Sequence, residues 1–350
     1  MLTKVKIINF KSIQNMDLYF DKINDIIGKN GVGKTNILQA ICYLFLNNIN
    51  NSKIEDLIKS GEENIYIEGI YLNNDGLENK LIFSYDLKQN KKQIILNGKK
   101  TTKKFLTENI LKTSYFSPIS MNLFYLGPKY RRDFLDDILK NTFNEYEKLL
   151  KNYENILKNR NKVLKNIFEE KSQKEEIVFW DEEFIKYCIL IYSYRTKLNE
   201  FIKENIKNNC EIFGNKIKDI SYKYTTKVDL ENIEKSIKEY LEKNFDRDII
   251  LGKTHIGPHI DDFDIVIDGK NLVDFASRGE IKSLIINLKL IEIYFIQKIT
   301  NQLPIVLIDD LASELDEEHS NFLLERLSYL QVIFTSILAI NKDYIKVIYI

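Results

Sequence analysis

Cysteine is scarce in this chain. Cys42, Cys188 and Cys210 are odd in number and far apart, so they make neither a disulfide framework nor a CxxC metal site. Proline and glycine are sparse as well, 4 and 13 residues in 350, so those present mark genuine turns. No apolar run approaches the ~18 residues that a bilayer span needs, and Met1-Leu2-Thr3-Lys4-Val5-Lys6 opens no signal-peptide apolar region. Neither sign of charge is in excess. Lys+Arg and Asp+Glu stand at 51 each, which excludes a globally basic nucleic-acid coat and leaves room for a local basic face. Arginine is confined to Arg131, Arg132, Arg160, Arg195, Arg247, Arg278 and Arg326; the surplus of Lys, Ile and Asn reads as AT-rich codon usage. There is no internal repeat and no low-complexity linker. These absences exclude secreted, integral-membrane and disordered classes. They leave the expectation of a cytosolic globular chain of two or three domains, at roughly 150 residues each, long enough to bury a core without staples.

The patterning then separates two kinds of chain. Residues 2–10 alternate as a strand does, with apolar Leu2, Val5 and Ile7 and with Lys4 and Lys6 between. Ile23 to Ile27 reads as a short buried strand. A glycine-rich turn follows, then a helix whose Ile37, Leu38, Ile41, Leu44 and Phe45 share one face. Residues 64–96 read as meandering strands punctuated by Asn-Asp-Gly and Asn-Gly turns. From about 130 to 210 there is neither proline nor glycine. Leu149, Tyr153, Ile156, Val163 and Ile167 follow a 3/4 spacing with Arg160 in one slot, and the spacing resumes at Phe184, Tyr187, Ile191, Tyr194, Leu198 and Phe201. The pattern predicts an antiparallel helical hairpin, either a subdomain packed on itself or a projecting arm. Beyond 250 a strand is expected at Ile265-Val266-Ile267, a helix at 280–296, and a central parallel strand at Pro304-Ile305-Val306-Leu307-Ile308.

The chemistry is concentrated in a few segments. Gly28-Lys29-Asn30-Gly31-Val32-Gly33-Lys34-Thr35 matches G-x-x-x-x-G-K-[ST] between a strand and a helix, the P-loop context. Its glycines let backbone N–H groups approach phosphate oxygens, and the helix start adds the positive end of its dipole. Lys34 is placed to reach the β- and γ-phosphates and Thr35 to ligate Mg²⁺, which predicts ATP with Mg²⁺ as the cofactors. The strand 305–308 ends in Asp309-Asp310, the Walker B pattern. Asp309 is assigned to the Mg²⁺ shell and Asp310 to the attacking water. Ser277-Arg278-Gly279-Glu280 opens the 281 helix, either as a second anion cradle or as an ordinary N-cap with a first-turn acid. Ala312-Ser313-Glu314-Leu315-Asp316 follows Walker B, where a D-loop and a helix cap are both admissible readings. Lys99, Lys100, Lys103 and Lys104 form the densest basic cluster, a DNA contact or a solvated hairpin tip. Arg131 and Arg132 stand at a helix start, against the dipole. Such a placement suits a phosphate, DNA, or an ion pair with Asp133, Asp136 or Asp137. His255 and His259 are separated by Gly257-Pro258, which breaks any helix, so no metal site is expected there.

The order and spacing of these motifs resemble the RecF family of bacterial recombination-repair ATPases, of the ABC/SMC type, over nearly the whole chain. Asn9-Phe10-Lys11-Ser12 is similar to the family's opening strand, and Asn30 and Asn36 to its form of Walker A. Pro128-Lys129-Tyr130-Arg131-Arg132-Asp133-Phe134-Leu135-Asp136 and Gly257-Pro258-His259-Ile260-Asp261-Asp262 are similar to two further family segments, with Ile260 where the family has Arg. Ser277 follows Ala276, not Leu; no Q-loop glutamine follows Phe116-Ser117-Pro118; and Thr335-Ser336 occupies the switch position, where no His stands.

The resemblance implies an α/β fold: an ATPase head built from both chain ends with a helical, arm-like insertion. The head would comprise 1–125 and 251–350, and the insertion 126–250. It implies a nucleotide site of Gly28 through Asn36 together with Ser277, Arg278, Gly279 and Glu280 of a second copy, closing an ATP-dependent homodimer. Partners implied are gapped or junction DNA, RecR and RecO, with assistance to RecA loading, slow hydrolysis and no membrane. Another ABC-type ATPase, as in phage defence, or a nucleotide-switched scaffold without turnover are the alternatives.

Overall fold

The computed structural model describes residues 1–45, 53–73, 75–102, 110–208, 219–272, 276–311, 315–338, 340 and 342–350. Lys103, Lys104, Cys210 and the Ala312-Ser313-Glu314 part of the expected D-loop lie outside the described residues. The chain divides into two compact units, Met1–Asn122 with Lys282–Ile350, and Leu123–Ile281.

The first unit opens with β1 (Leu2–Phe10), β2 (Ile13–Tyr19), β3 (Ile23–Ile27) and α1 (Lys34–Leu44). It continues through β4 (Asn64–Leu72), β5 (Glu78–Asp86), β6 (Lys91–Leu96), β7 (Lys99–Lys100) and β8 (Thr113–Phe116). The alternation in β1 is realised: Leu2, Val5 and Ile7 are fully buried while Lys4 and Lys6 stay part-exposed. Strands of this kind pair antiparallel, in the order β2-β1-β4-β5-β6-β7. Asn97 and Gly98, both at positive φ, make the tight β6–β7 turn, and Lys99 and Lys100 are exposed on the edge strand beyond it.

The second unit holds α2 (Pro128–Thr142), α3 (Tyr146–Phe168), α4 (Ile177–Asn205), β9 (Ile220–Thr225), α5 (Ile233–Lys243), α6 (Phe245–Leu251), β10 (Asp262–Ile267) and β11 (Lys270–Asn271). The hairpin expected from the 3/4 spacing is α3 against α4. Arg160, which occupies an apolar slot in the sequence, is wholly buried; its guanidinium donates to Asp181 (2.7 Å), Thr254 (2.6 Å) and Asp248 (3.4 Å). Arg195 on α4 is buried likewise. It holds Asp136 with two bonds from Nη2 (2.9 and 3.0 Å) and the Pro258 carbonyl with Nη1 (2.6 Å). Buried charges survive only when paired in this way. The strand foreseen at 265–267 is β10, which pairs with β9 and β11 in a three-stranded sheet.

The long helix α7 (Arg278–Thr300) leads back to the first unit, which ends with β12 (Ile305–Ile308), α8 (Glu317–Arg326), β13 (Val332–Ser336) and β14 (Lys346–Tyr349). These strands join β3 and β8 in an all-parallel sheet of order β14-β3-β13-β12-β8. Continuous apolar runs such as Ile305–Ile308 belong in such a sheet because both faces are covered. One core joins this sheet, α1 and the antiparallel sheet, through residues such as Ile7, Ile37, Leu38, Ile67, Leu307 and Ile333. Each buried aliphatic side chain contributes roughly 1.5–3 kcal/mol.

Candidate functional site

The loop Gly28–Gly33 joins the central strand β3 to α1. Its ends are pinned and its crown is open: Lys29, Asn30, Gly31 and Val32 are exposed. Gly33 needs to be glycine twice over. Its φ is 109°, and a Cβ there would sit 2.9 Å from Ser12 Oγ. Ser12 lies in the tight turn between β1 and β2 and accepts a bond from the Asn36 amide (2.8 Å). The Asn9-Phe10-Lys11-Ser12 segment therefore buttresses the start of α1. No side chain caps α1 and no acid stands in its first turn, so its N–H groups and positive dipole end are available to an anion. Lys34 is buried to 7% exposure, and its ammonium donates to the carbonyls of Gly28 (2.6 Å) and Lys29 (3.2 Å). The loop thus aims its lysine inward along its own backbone.

The parallel register brings the acids to the same place. β12 pairs with β8 and β13, and the Asp309 N–H, one residue past β12, donates to the Phe116 carbonyl (2.9 Å). Asp309 is 4% exposed. Its Oδ1 accepts from Thr35 Oγ1 (3.0 Å) and Thr335 Oγ1 (3.1 Å), and its Oδ2 from the Tyr115 hydroxyl (3.1 Å). Thr335 Oγ1 in turn accepts from the Asp310 N–H (2.7 Å), which directs its own proton to Asp309. Asp310 sits at φ 54°, a left-handed conformation that aspartate tolerates and that ends the strand sharply. One chain of hydrogen bonds therefore links Walker A, Walker B and the switch position. A hydroxyl and a carboxylate 3.0 Å apart are hard oxygen donors. They fit Mg²⁺, which takes one or two protein ligands and completes its shell with water and phosphate. Among the described residues no group of three or more His, Cys, Asp and Glu could hold a metal by itself.

The remaining expected residues lie elsewhere. Ser277 and Glu280 form a capping box at the start of α7. The Glu280 carboxylate accepts from the Ser277 N–H and hydroxyl (both 2.7 Å), and Ser277 Oγ accepts from the Glu280 N–H (3.3 Å). Ser277, Arg278 and Gly279 are exposed, and nothing lies within 4 Å of a Cβ at Gly279. Arg131 makes a bidentate pair with Asp262 (2.7 and 2.8 Å), not with Asp133, Asp136 or Asp137, and Arg132 donates to the Asp261 carbonyl (3.0 Å). The two family-like segments of the second unit therefore meet each other. His259, in the second of these segments, is held elsewhere: its Nε2 donates to the Thr254 carbonyl (3.0 Å), and Nδ1 accepts from Tyr153 (2.6 Å). Burial pushes its pKa from 6.5 down to about 4, so the ring is neutral.

Two contributions are invisible in the sequence. Tyr115 reaches Asp309 only because β8 and β12 pair in one particular register, and Arg195 gathers Asp136 and Pro258 from distant segments.

Known proteins are similar to this chain in sequence and fold. The family model described as the RecF/RecN/SMC N-terminal domain matches residues 1–345. A protein of Ruminiclostridium cellulolyticum called DNA replication and repair protein RecF is 32% identical over 97% of this chain and 95% of its own length. One of the same name from Thermoanaerobacter pseudethanolicus is 34% identical over 97% and 93%. Among solved structures, the recombination mediator protein RecF-ATPrS in the RecFOR pathway superimposes with a TM-score of 0.88 at 28% identity, over 100% of this chain and 96% of that one. A RecF-ATP structure gives 0.85 at 28% identity, over 98% and 93%. On these matches the chain belongs to the RecF family of ABC/SMC-type ATPases, with a head drawn from both chain ends and a helical insertion between them.

Proposed function

We propose that the chain is an ATP-switched DNA-binding protein of recombinational repair. The Thr35–Asp309–Thr335–Asp310 chain of hydrogen bonds carries this reading, because it assembles the parts of a phosphoryl-transfer site. ATP would lie along Gly28–Asn36, with its phosphates on the loop N–H groups and its β- and γ-oxygens taking over Lys34 from the Gly28 and Lys29 carbonyls. Thr35 and Asp309 would hold Mg²⁺, which supplies neutralisation of the charge on the β- and γ-phosphates. Asp310 would orient the attacking water.

In a homodimer the exposed Ser277, Arg278 and Gly279 would meet the γ-phosphate bound to the other copy, with Glu280 keeping Ser277 in place. The magnitudes suffice. Driving a monomer–dimer equilibrium from 1:99 to 99:1 takes about 5.5 kcal/mol. Two sites, each adding two charge-assisted hydrogen bonds of roughly 1.5–3 kcal/mol, exceed it.

The closed dimer would hold gapped or junction DNA in the cytoplasm and act with RecR and RecO toward RecA loading, and slow hydrolysis would release it. Lys99 and Lys100, exposed beside the Asn97-Gly98 turn, are the phosphate contacts best supported by exposure, with Lys103 and Lys104 close in sequence. Arg132 is a further candidate, whereas Arg131 would have to leave Asp262 to reach DNA. Among the described residues no helix is long and apolar enough to cross a membrane.

Binding to gapped, duplex and single-stranded DNA, with and without Mg-ATP, tests the reading. Tight binding to gapped DNA that needs Mg-ATP and is lost in Lys34→Ala supports it. Binding indifferent to nucleotide refutes it.

A further inference from the structure

We infer that Tyr115 is a positioning residue for the metal ion of the bound nucleotide, its hydroxyl fixing the Oδ2 side of Asp309 so that Oδ1 stays turned to Thr35. The inference rests on the Mg-ATP reading of the site. Tyr115 is opposite Leu307 in the β8–β12 register, and Asp309 is two residues further along, so both side chains leave the sheet on the face that α1 covers. A diagonal separation of this kind is one an aromatic side chain can span.

The tyrosine is held at both ends. Its carbonyl accepts from Lys289 (2.9 Å) on α7; Lys289 is paired with Glu292 (2.7 Å), which also takes the Ser114 hydroxyl (2.7 Å). Its hydroxyl donates to Asp309 Oδ2 (3.1 Å). Groups that hydrogen-bond a metal-ligating carboxylate set its orientation, and their removal typically weakens metal binding about 10- to 100-fold.

Tyr115→Phe keeps the ring and removes the hydroxyl. In the full chain, binding of a fluorescent ATP analogue is titrated with Mg²⁺, and again in EDTA. The half-saturating Mg²⁺ concentration is expected to rise about 10- to 100-fold, while affinity in EDTA and thermal unfolding stay at wild-type values. In an Asp309→Asn background the same change is expected to do nothing further, which a merely structural tyrosine would not show. A Mg²⁺ requirement unchanged within about twofold in Tyr115→Phe, or shifted equally in the Asp309→Asn background, overturns the inference alone. A wild-type chain whose nucleotide binding ignores Mg²⁺ overturns this inference and the Mg-ATP reading together.

Discussion

Arg195→Met is expected to unfold the second unit early. The arginine is 2% exposed and satisfies both oxygens of Asp136 and the Pro258 carbonyl. Methionine is of similar length but returns none of these bonds. Asp136 would keep only the Tyr146 hydroxyl (2.7 Å) among the contacts described here. Asp261, which lies 3.9 Å from the guanidinium, would lose its counter-charge. Removing one partner of a buried pair costs about 3–5 kcal/mol because the other charge is stranded. At about 2–4 °C per kcal/mol for a unit of this size, the midpoint should fall by about 6–20 °C. The single tryptophan, Trp180, lies on α4, so its fluorescence follows this unit. The double variant Arg195→Met, Asp136→Leu should cost less than the sum of the single changes by about 1 kcal/mol or more, since neither charge is then stranded. A loss below about 1 kcal/mol in Arg195→Met, or strict additivity in the double variant, refutes the reasoning.

Asp310→Asn should trap the ATP-bound dimer, seen as a persistent dimer peak in size-exclusion chromatography with Mg-ATP; wild-type dissociation kinetics would remove Asp310 from the hydrolytic step. Gly33→Ala places a Cβ at φ 109°, 2.9 Å from Ser12 Oγ, at a strain of roughly 1–3 kcal/mol; its ATP affinity should fall at least about tenfold by calorimetry. His259 gives a pH signature. Its folded pKa is lowered from 6.5 to about 4, so between these values the unfolded chain binds the proton and the folded chain does not. Its contribution is therefore intact above pH 6.5 and declines by about 3 kcal/mol as the pH falls toward 4. Asp261 and Asp181, whose pKa values burial raises, act with the opposite sign. The measurement is thus the difference in denaturation midpoint between wild type and His259→Gln across that range, and a difference flat with pH would refute the assignment.

Much of the head was legible because its signals are local. The glycine spacing of 28–33, the apolar run into Asp309-Asp310 and the Asn97-Gly98 turn each need only a few adjacent residues, and each sits in the structure as the sequence suggests. The capping box at Ser277 was legible for the same reason. What escaped depends on long-range pairing. Nothing near Tyr115 in sequence announces Asp309, because the contact exists only through the β8–β12 register. The sequence offered Arg131 a phosphate, DNA or a neighbouring acid, because its actual partner, Asp262, is 131 positions away. Arg160 occupies an apolar slot in a helical pattern and Arg195 adjoins the one read at Tyr194, and periodicity has no means of naming the carboxylates that admit them.

Among the described residues, the side chains that donate to the Asp309 carboxylate are all hydroxyls: Thr35, Thr335 and Tyr115. Threonine does not ionise in water, and a tyrosine phenol ordinarily does so only near pH 10. The cradle around the metal-binding carboxylate is therefore proton-silent. Where a histidine at the switch position would gain or lose charge between about pH 5 and 8, Thr335 presents the same hydroxyl throughout. Acidification of the cell would thus act on this ATPase through its nucleotide and its folding, and leave the geometry at Asp309 as it was.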